Sequence, residues 1–445
     1  MPHLVTSRHK PRPLNFFMTM TASDSRSSTS WKGRWPQLAF AVLSTVMLAN
    51  LQYGWTLFVN PMHDENHWSR TGIQLAFTIM IFVNTWLAPG EGWLVDRYGP
   101  RPIVLAGGFF AAASWLINSQ VHSLTVLYGS AIIGGLAIGC VFGTCMGTAL
   151  KWFPDKRGLA AGMIAAGYGL GAAFTSAPLA RMIRVSGYPE AFRFFGLLQG
   201  FTICALALLL VKPTAPAQVS SRTVIRQGAD HSLLETFRSG VFWLIYLIYL
   251  LIAVGGMVIT AQLGPMARDF GFEATTVTLF GFAAPLAGWA VSIDNFANGI
   301  TRPISGFLSD VIGRENAMLL MFSLEAIALF GFAIFGRHPH AFLIFAALIF
   351  LFWGEIFVLF PAISGDCFGS QNAAANNGLL YTAKGTSAIA VPLANMFVPA
   401  HGTWTTLLIA TALSSACAGL LAKFVRGPLR ARVHTSVTSA YCPYR

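Results

Sequence analysis

The fold class this sequence predicts is an all-α membrane protein, a bundle of twelve transmembrane helices in two pseudo-symmetric six-helix halves. Three observations predict it. The 445 residues are 55% hydrophobic, only 10% charged and have a mean hydropathy of +0.60, whereas a soluble chain carries about a quarter charged residues. Apolar stretches recur from near Leu38 to near Phe424, each of the roughly 18 to 25 residues needed to cross a hydrocarbon core of about 30 Å as a helix. A short Gly-Asp-Gly pattern also occurs twice, once in each half of the chain. No alternating barrel pattern is visible, so helices are what would satisfy the backbone in lipid.

In chain order, residues 1–36 form a polar tail without the apolar core of a signal peptide. Within it, "MTMTASDSRSSTS" offers Met18 or Met20 as an alternative start to Met1. The first half, 37–211, holds helices near 37–59, 72–94, 103–118, 125–150, 158–180 and 191–211. Residues 212–239 are polar, charged and Pro/Ser-containing, and read as a linker. The second half, 240–424, holds helices near 240–264, 276–308, 317–336, 341–361, 374–398 and 404–424, followed by a tail at 425–445. The 276–308 stretch is too long for one straight span at about 1.5 Å per residue, so its first turns are expected to protrude.

Orientation follows from Lys and Arg. Of 29 such residues, 21 fall on the side that holds both termini, the linker and the 2–3, 4–5, 8–9 and 10–11 loops, 6 on the other, and Arg302 and Lys384 inside helices. The positive-inside rule therefore predicts cytoplasmic termini. Arg181, Arg184 and Arg193 run against the trend. The net charge of +12 is thus mostly topology, and no nucleic-acid partner is needed to explain it. The run "KWFPDKRGLAAGMIAAGYGLG" fits this frame. Lys151, Asp155, Lys156 and Arg157 lie in the 4–5 loop, Trp152 anchors at the interface and Pro154 breaks the chain between two spans. Gly135, Gly139, Gly143 and Gly147 recur every fourth residue in helix 4 and predict a smooth face for close helix approach, a pattern that Gly158 and Gly162 begin again in helix 5. "GYGLG" (167–171) has no strand before it, so packing is favoured over a nucleotide loop.

The doubled pattern follows the second helix of each half. "GWLVDRYGPR" and "GFLSDVIGRE" match at Gly92/Gly306, Leu94/Leu308, Asp96/Asp310 and Gly99/Gly313, always 214 residues apart. Arg97, Arg101 and Arg314 complete the two loops. Here the sequence resembles the major facilitator superfamily, whose members bind substrate at mid-membrane between the halves and alternate access by rocking one half against the other.

Ionisable residues inside the spans carry the functional signal. Arg302, in "NGITRPISGF" of helix 8, lies eight residues before Asp310; Lys384, in "NNGLLYTAKGTSAIA" of helix 11, lies eight after Asn376. Both sit roughly 12 Å in from their helix ends. Each costs about 2.5 to 3.5 kcal/mol unless it faces a wet cavity or a partner. A guanidinium matches a carboxylate bidentately while an ammonium is a compact point charge, so the pair suits a small dicarboxylate. Helix 1 offers Asn50, Gln52, Tyr53 and Trp55, helix 5 Tyr168, and helix 10 Trp353 and Phe357 as possible cavity walls.

These residues sharpen the resemblance. "LQYGWTLFVNP", the 4–5 loop, the Arg-Pro of helix 8, "FWGEIFVLFP" and "YTAKGTSA" resemble the oxalate:formate antiporter family. That resemblance implies that Arg302 and Lys384 bind substrate carboxylates, with Gln52, Tyr53, Tyr168 and Trp353 lining the cavity. Phe357 stands where the antiporters have a tyrosine. Asp294 stands where they have a neutral amide, and Glu325 and Glu355 are further acids within spans. Asp294 or Glu355 could offset a cation or carry a proton. Glu325 is expected to be a structural hydrogen-bonding residue, and Glu91 to belong to the motif loop.

The expectation is a secondary transporter of small carboxylates such as oxalate or formate, most simply an anion exchanger. Proton-coupled monocarboxylate symport through Asp294 or Glu355 is the alternative, and a non-transporting carboxylate sensor a remote one. No enzyme, cofactor or metal site is expected. His63 and His67 in "HDENH" read as a solvated loop. The six cysteines, Cys140, Cys145, Cys204, Cys367, Cys417 and Cys442, form no CxxC pair and read as small apolar residues. A monomer in a bacterial inner membrane completes the expectation.

Overall fold

The computed structural model describes residues 31–153, 157–212, 231–369, 372–397 and 404–425. The candidate starts Met1, Met18 and Met20, the loop residues Pro154, Asp155 and Lys156, Cys442, most of the linker and nearly all of the C-terminal tail lie outside them. So do the side chains of Gly92, Asp96, Arg157, Gly158 and Asp310.

The helices follow the apolar stretches. In order they are α1 (Arg34–Leu48, Asn50–Tyr53 and Thr56–Asn66), α2 (Arg70–Tyr98), α3 (Pro100–Asn118), α4 (Leu124–Ile138 and Thr144–Trp152), α5 (Arg157–Ser186) and α6 (Tyr188–Leu209). The second half contains α7 (Gly240–Asp269), α8 (Leu286–Ile312), α9 (Arg314–Phe335), α10 (Pro339–Trp353 and Ile356–Phe368), α11 (Ala373–Ser387 and Ala390–Phe397) and α12 (Trp404–Ala422). Among the described residues, nine helical stretches are long and apolar enough to cross a membrane, and the bent pair that makes up α1 is a tenth. The two helices outside that count, α8 and α11, are those carrying Arg302 and Lys384.

Continuous spans were expected, and four are interrupted. α1 bends by 44° between Tyr53 and Thr56. α10 breaks at Gly354–Glu355 and α11 near Ile389, while α4 passes through a π-turn at Gly139–Gly143. Each break frees backbone groups that a straight helix would pair internally, which a bilayer tolerates only where protein covers them. All four lie against neighbouring helices.

The expected start of helix 8 is corrected. Residues 276–285 form an antiparallel hairpin, β1 (Thr276–Leu279) and β2 (Phe282–Pro285), with Leu279 opposite Phe282. Its two turn residues, Phe280 and Gly281, both have positive φ, 53° and 77°, as a two-residue hairpin turn of the primed type requires. The alternation Thr276-Val277-Thr278-Leu279 favours a pleated strand, and Pro285 marks the N-cap of α8.

The doubled motif has a matched backbone form. Gly99 ends α2 at φ 82° and Gly313 ends α8 at φ 89°, a region where any side chain is strained. Arg101 then donates to the Leu208 carbonyl of α6. Arg314 donates to Ser309 and, at 3.3 Å, to Asp366. Arg97 is exposed beside the Tyr98 ring, and a Cβ at Gly306 would meet Val358 of α10 at 3.2 Å.

The glycine face of α4 is shorter than expected. Gly135 and Gly139 admit α2, Gly135 against Met80 and Val83 and Gly139 against Glu91, whose carboxylate also borders Gly143. Gly147 and Gly162 face open space. Glu91 therefore belongs to α2, with its side chain buried against the π-turn, and not to the motif loop.

Ser232 caps the short helix Leu233–Arg238 in a reciprocal box with Glu235. The Ser232 backbone N–H and hydroxyl hold the Glu235 carboxyl below its usual range. The halves meet along α1 with α7, α2 with α11, and α5 with α8.

Candidate functional site

The breaks in α1 and α10 and the polar stretches of α8 and α11 converge on one buried cluster. Arg302 and Lys384 are both 0% exposed. The Arg302 Nε and Nη2 groups donate to Asn298 Oδ1 at 3.3 and 3.1 Å, one helical turn back on α8. From the opposite half, the Ala165 carbonyl of α5 accepts from Nη1, and the Tyr53 hydroxyl lies 3.5 Å from Nη2. Lys384 donates to Gln52 Oε1 and to the Tyr381 hydroxyl, each at 3.1 Å.

Gln52 joins the two sides of the site, because its Oε1 also accepts from the Tyr168 hydroxyl at 3.0 Å. The Tyr53 and Tyr168 rings pack with centroids 5.4 Å apart. Phe357 lies beneath both cations, its ring centroid 4.3 Å from the Arg302 Cζ and 5.2 Å from the Lys384 Nζ. Two cations over one ring are each attracted to its quadrupole, and a phenyl ring serves here without a hydroxyl. Trp353 is fully buried and packs edge-on to Phe357, in space left by Gly256 of α7.

All seven residues expected to line the site, Arg302, Lys384, Gln52, Tyr53, Tyr168, Trp353 and Phe357, therefore come together. Asp294 and Glu355 do not join them as counter-ions. Both are 0% exposed, and among the described residues neither carboxylate has a hydrogen-bond partner. Glu325 accepts from Ser415 at 3.4 Å in a niche opposite Gly255, away from the cations.

The far face is built differently. Arg268 pairs with Asp64 at 2.6 Å, and Arg70 with Asp269 at 2.7 Å, both between the halves. Trp404 Nε1 donates to Asp269 at 3.0 Å. Two of the arginines that run against the charge rule hold the hairpin: Arg184 donates to Thr276 at 2.6 Å, and Arg181 lies 5.1 Å from the Phe282 centroid. Arg193 pairs with Glu190 at 3.2 Å. A cavity of about 640 Å³ opens on this face between α1, α5, α7 and the hairpin, bordered by Thr56, Asn60, Arg184, Arg268 and Glu273. His63 is helical, not in a loop as expected, and its Nδ1 lies 2.6 Å from the Trp68 carbonyl.

The model of the Major Facilitator Superfamily matches residues 40–285 and 276–439. The chain belongs to the major facilitator superfamily. It is a multi-pass membrane transporter, and it resembles an oxalate:formate antiporter of Oxalobacter formigenes, 34% identical over 88% of this chain and 91% of the relative. An uncharacterized 38 kDa protein of Thermoproteus tenax is 27% identical over 83% of this chain and 90% of its own length. An uncharacterized MFS-type transporter of Escherichia coli (strain K12) is 24% identical over 80% of this chain and 86% of its own length.

The cluster lies between the halves, beside the breaks in α1 and α10. Sequence reasoning missed Asn298, Tyr381 and the Ala165 carbonyl. The first two stand four and three residues before the cations they contact, a helical spacing that places side chains on one face. That spacing was visible in "NGITRP" and "YTAK". The carbonyl has no sequence signal.

Proposed function

We propose that the protein exchanges small carboxylates across the membrane by alternating access, as an oxalate/formate-type antiporter. One observation carries this reading. Arg302 and Lys384 share the Phe357 ring and, among the described residues, meet only neutral oxygens. Two buried cations so placed favour a ligand that brings its own negative charge.

The shared ring also limits the ligand's length. The guanidinium carbon and the ammonium are within about 10 Å of each other. Charge-assisted hydrogen bonds of about 2.8 Å at each end leave at most roughly 4 Å for the anion itself. A diacid with adjacent carboxylates fits that interval. Tyr53 and Gln52 would exchange their present bonds to the cations, and Tyr168 its bond to Gln52, for bonds to the anion. Filling the site lets the halves close over it, and cations left without an anion resist that closure, which enforces exchange.

The second reading rests on Asp294 and Glu355, two buried carboxylates without hydrogen-bond partners among the described residues. Such groups fit a proton carried with a monocarboxylate. Lysine and arginine placement favours cytoplasmic termini in a bacterial inner membrane, the interface between halves is contained in one chain, and a monomer suffices.

The test is entry of labelled oxalate, and in parallel of labelled formate, into proteoliposomes loaded with formate, oxalate or buffer, with and without a pH gradient. Entry only into anion-loaded vesicles is expected. Entry into buffer-loaded vesicles driven by the pH gradient selects the proton-coupled reading. No entry under any condition rejects both substrates.

A further inference from the structure

The "GYGLG" run of α5 contains three glycines with different neighbours. Gly167 and Gly171 serve the packing of α1: a Cβ at Gly167 would stand 2.9 Å from Thr45 Oγ1, and one at Gly171 would overlap the Val46 carbonyl. Gly169 faces the site instead. A Cβ there would stand 3.3 Å from both Cζ and Nη2 of Arg302, and 3.3 Å from the Gly299 Cα. The centroid of Phe357 lies 4.3 Å from the guanidinium carbon. Around its edge Ala165, Asn298 and Tyr53 take its hydrogen bonds. The guanidinium thus touches a bare patch of α5 and an aromatic ring of α10 while its edge is held by hydrogen bonds, so even a methyl group at position 169 must displace it by tenths of an ångström.

We propose that Gly169 is a specificity-determining residue, which sets preference between two-ended and one-ended carboxylates by fixing the guanidinium's place relative to Lys384. This rests on the reading of Arg302 and Lys384 as the substrate cations. A diacid is held at both ends and responds to any change in the span between the cations. A monocarboxylate held at one end follows the cation that holds it. Displacing the guanidinium therefore penalises the diacid whichever way the fork moves, and misplacement of this order is expected to change the ratio about tenfold.

The test uses the full-length protein and the variants Gly169→Ala and Gly169→Ser, reconstituted and assayed for self-exchange of labelled oxalate and of labelled formate. Anion-dependent thermal stabilisation in detergent reports binding of the same two anions. Gly299→Ala is the packing control, since its Cβ would overlap Leu170 at the same α5–α8 crossing and the three atoms nearest to it all belong to Leu170 rather than to Arg302. The expected result is an oxalate-to-formate ratio reduced about tenfold in the Gly169 variants and unchanged in Gly299→Ala. Equal losses for both anions in the Gly169 variants overturn the proposal, as does failure of both Gly169 variants to fold, because either result makes Gly169 a packing glycine. An unmodified protein that exchanges neither anion defeats the functional reading itself. An unmodified protein that exchanges both, with Gly169 variants of unaltered ratio, defeats this inference alone.

Discussion

The middle of the molecule and its far face both carry cations, but they use them in opposite ways. On the far face Arg70 and Arg268 each meet a carboxylate from the other half, in partly exposed pairs. At mid-depth Arg302 and Lys384 are wholly buried, yet meet amide, carbonyl and hydroxyl oxygens. Water screens the first pair of contacts and makes each worth about 1 kcal/mol or less. Burial gives the second pair far higher stakes, since a desolvated charge with only neutral partners is held at a cost. On the proposed function, the difference separates a fastening from a receptor. Cations that only join two surfaces are neutralised by the protein, and the two proposed to take the anion are not.

The sharpest test of that contrast is truncation of the buried cations. Arg302→Ala and Lys384→Ala should each lower labelled oxalate exchange at least about hundredfold, because a charge-assisted contact to the anion is lost, while yields of folded protein in detergent stay comparable. Intact exchange in both variants would remove the site. Next in size, Asn298→Leu leaves the guanidinium fork without its acceptor on α8. It should raise the KM for oxalate about tenfold with a smaller change in kcat, as expected for losing a bond to a charged group.

The far-face fastenings should give smaller effects. Asp269→Asn weakens both its pair with Arg70 and its bond from Trp404. With Asn60→Cys as reporter in a background lacking the native cysteines, membrane-impermeant maleimide should label about fivefold faster. Asp64→Asn removes the more exposed pair, and its effect on the same labelling rate should be about twofold and vanish in high salt. A far-face variant that abolished exchange as completely as Arg302→Ala would break the distinction.

Most of the helices were legible because apolar length is a summed property that survives local irregularity. The breaks were not. Gly54 and Gly354 look like many other glycines among the 43 in the chain, and only their neighbours show why they matter: a Cβ at Gly354 would collide with Thr301 and Asn298 of α8. The hairpin at 276–285 was lost because its apolar content was weighed without its alternation. Arg302 and Lys384 stood out because a charge within a span needs a reason. Asn298 and Tyr381 are unremarkable until a cation lies one turn away. The arginines of α5 run against the charge rule, and become intelligible once the hairpin they grip is present. The side chains of Asp96 and Asp310 lie beyond the described residues, so of the doubled motif it is the glycines, Gly99 and Gly313, whose form is matched in both copies.

The 44° bend between Tyr53 and Thr56 has a mechanical meaning. It turns α1 into two levers that meet beside Gln52, and the break at Gly354–Glu355 does the same to α10 beside Trp353 and Phe357. Tilting the outer lever does not oblige the inner one to follow. A bundle jointed at the depth of its cargo can swing one door while the other stays latched, so a continuous aqueous path never needs to form. That property separates a ferry from a pore, and here it resides in two short gaps in the backbone's hydrogen bonding.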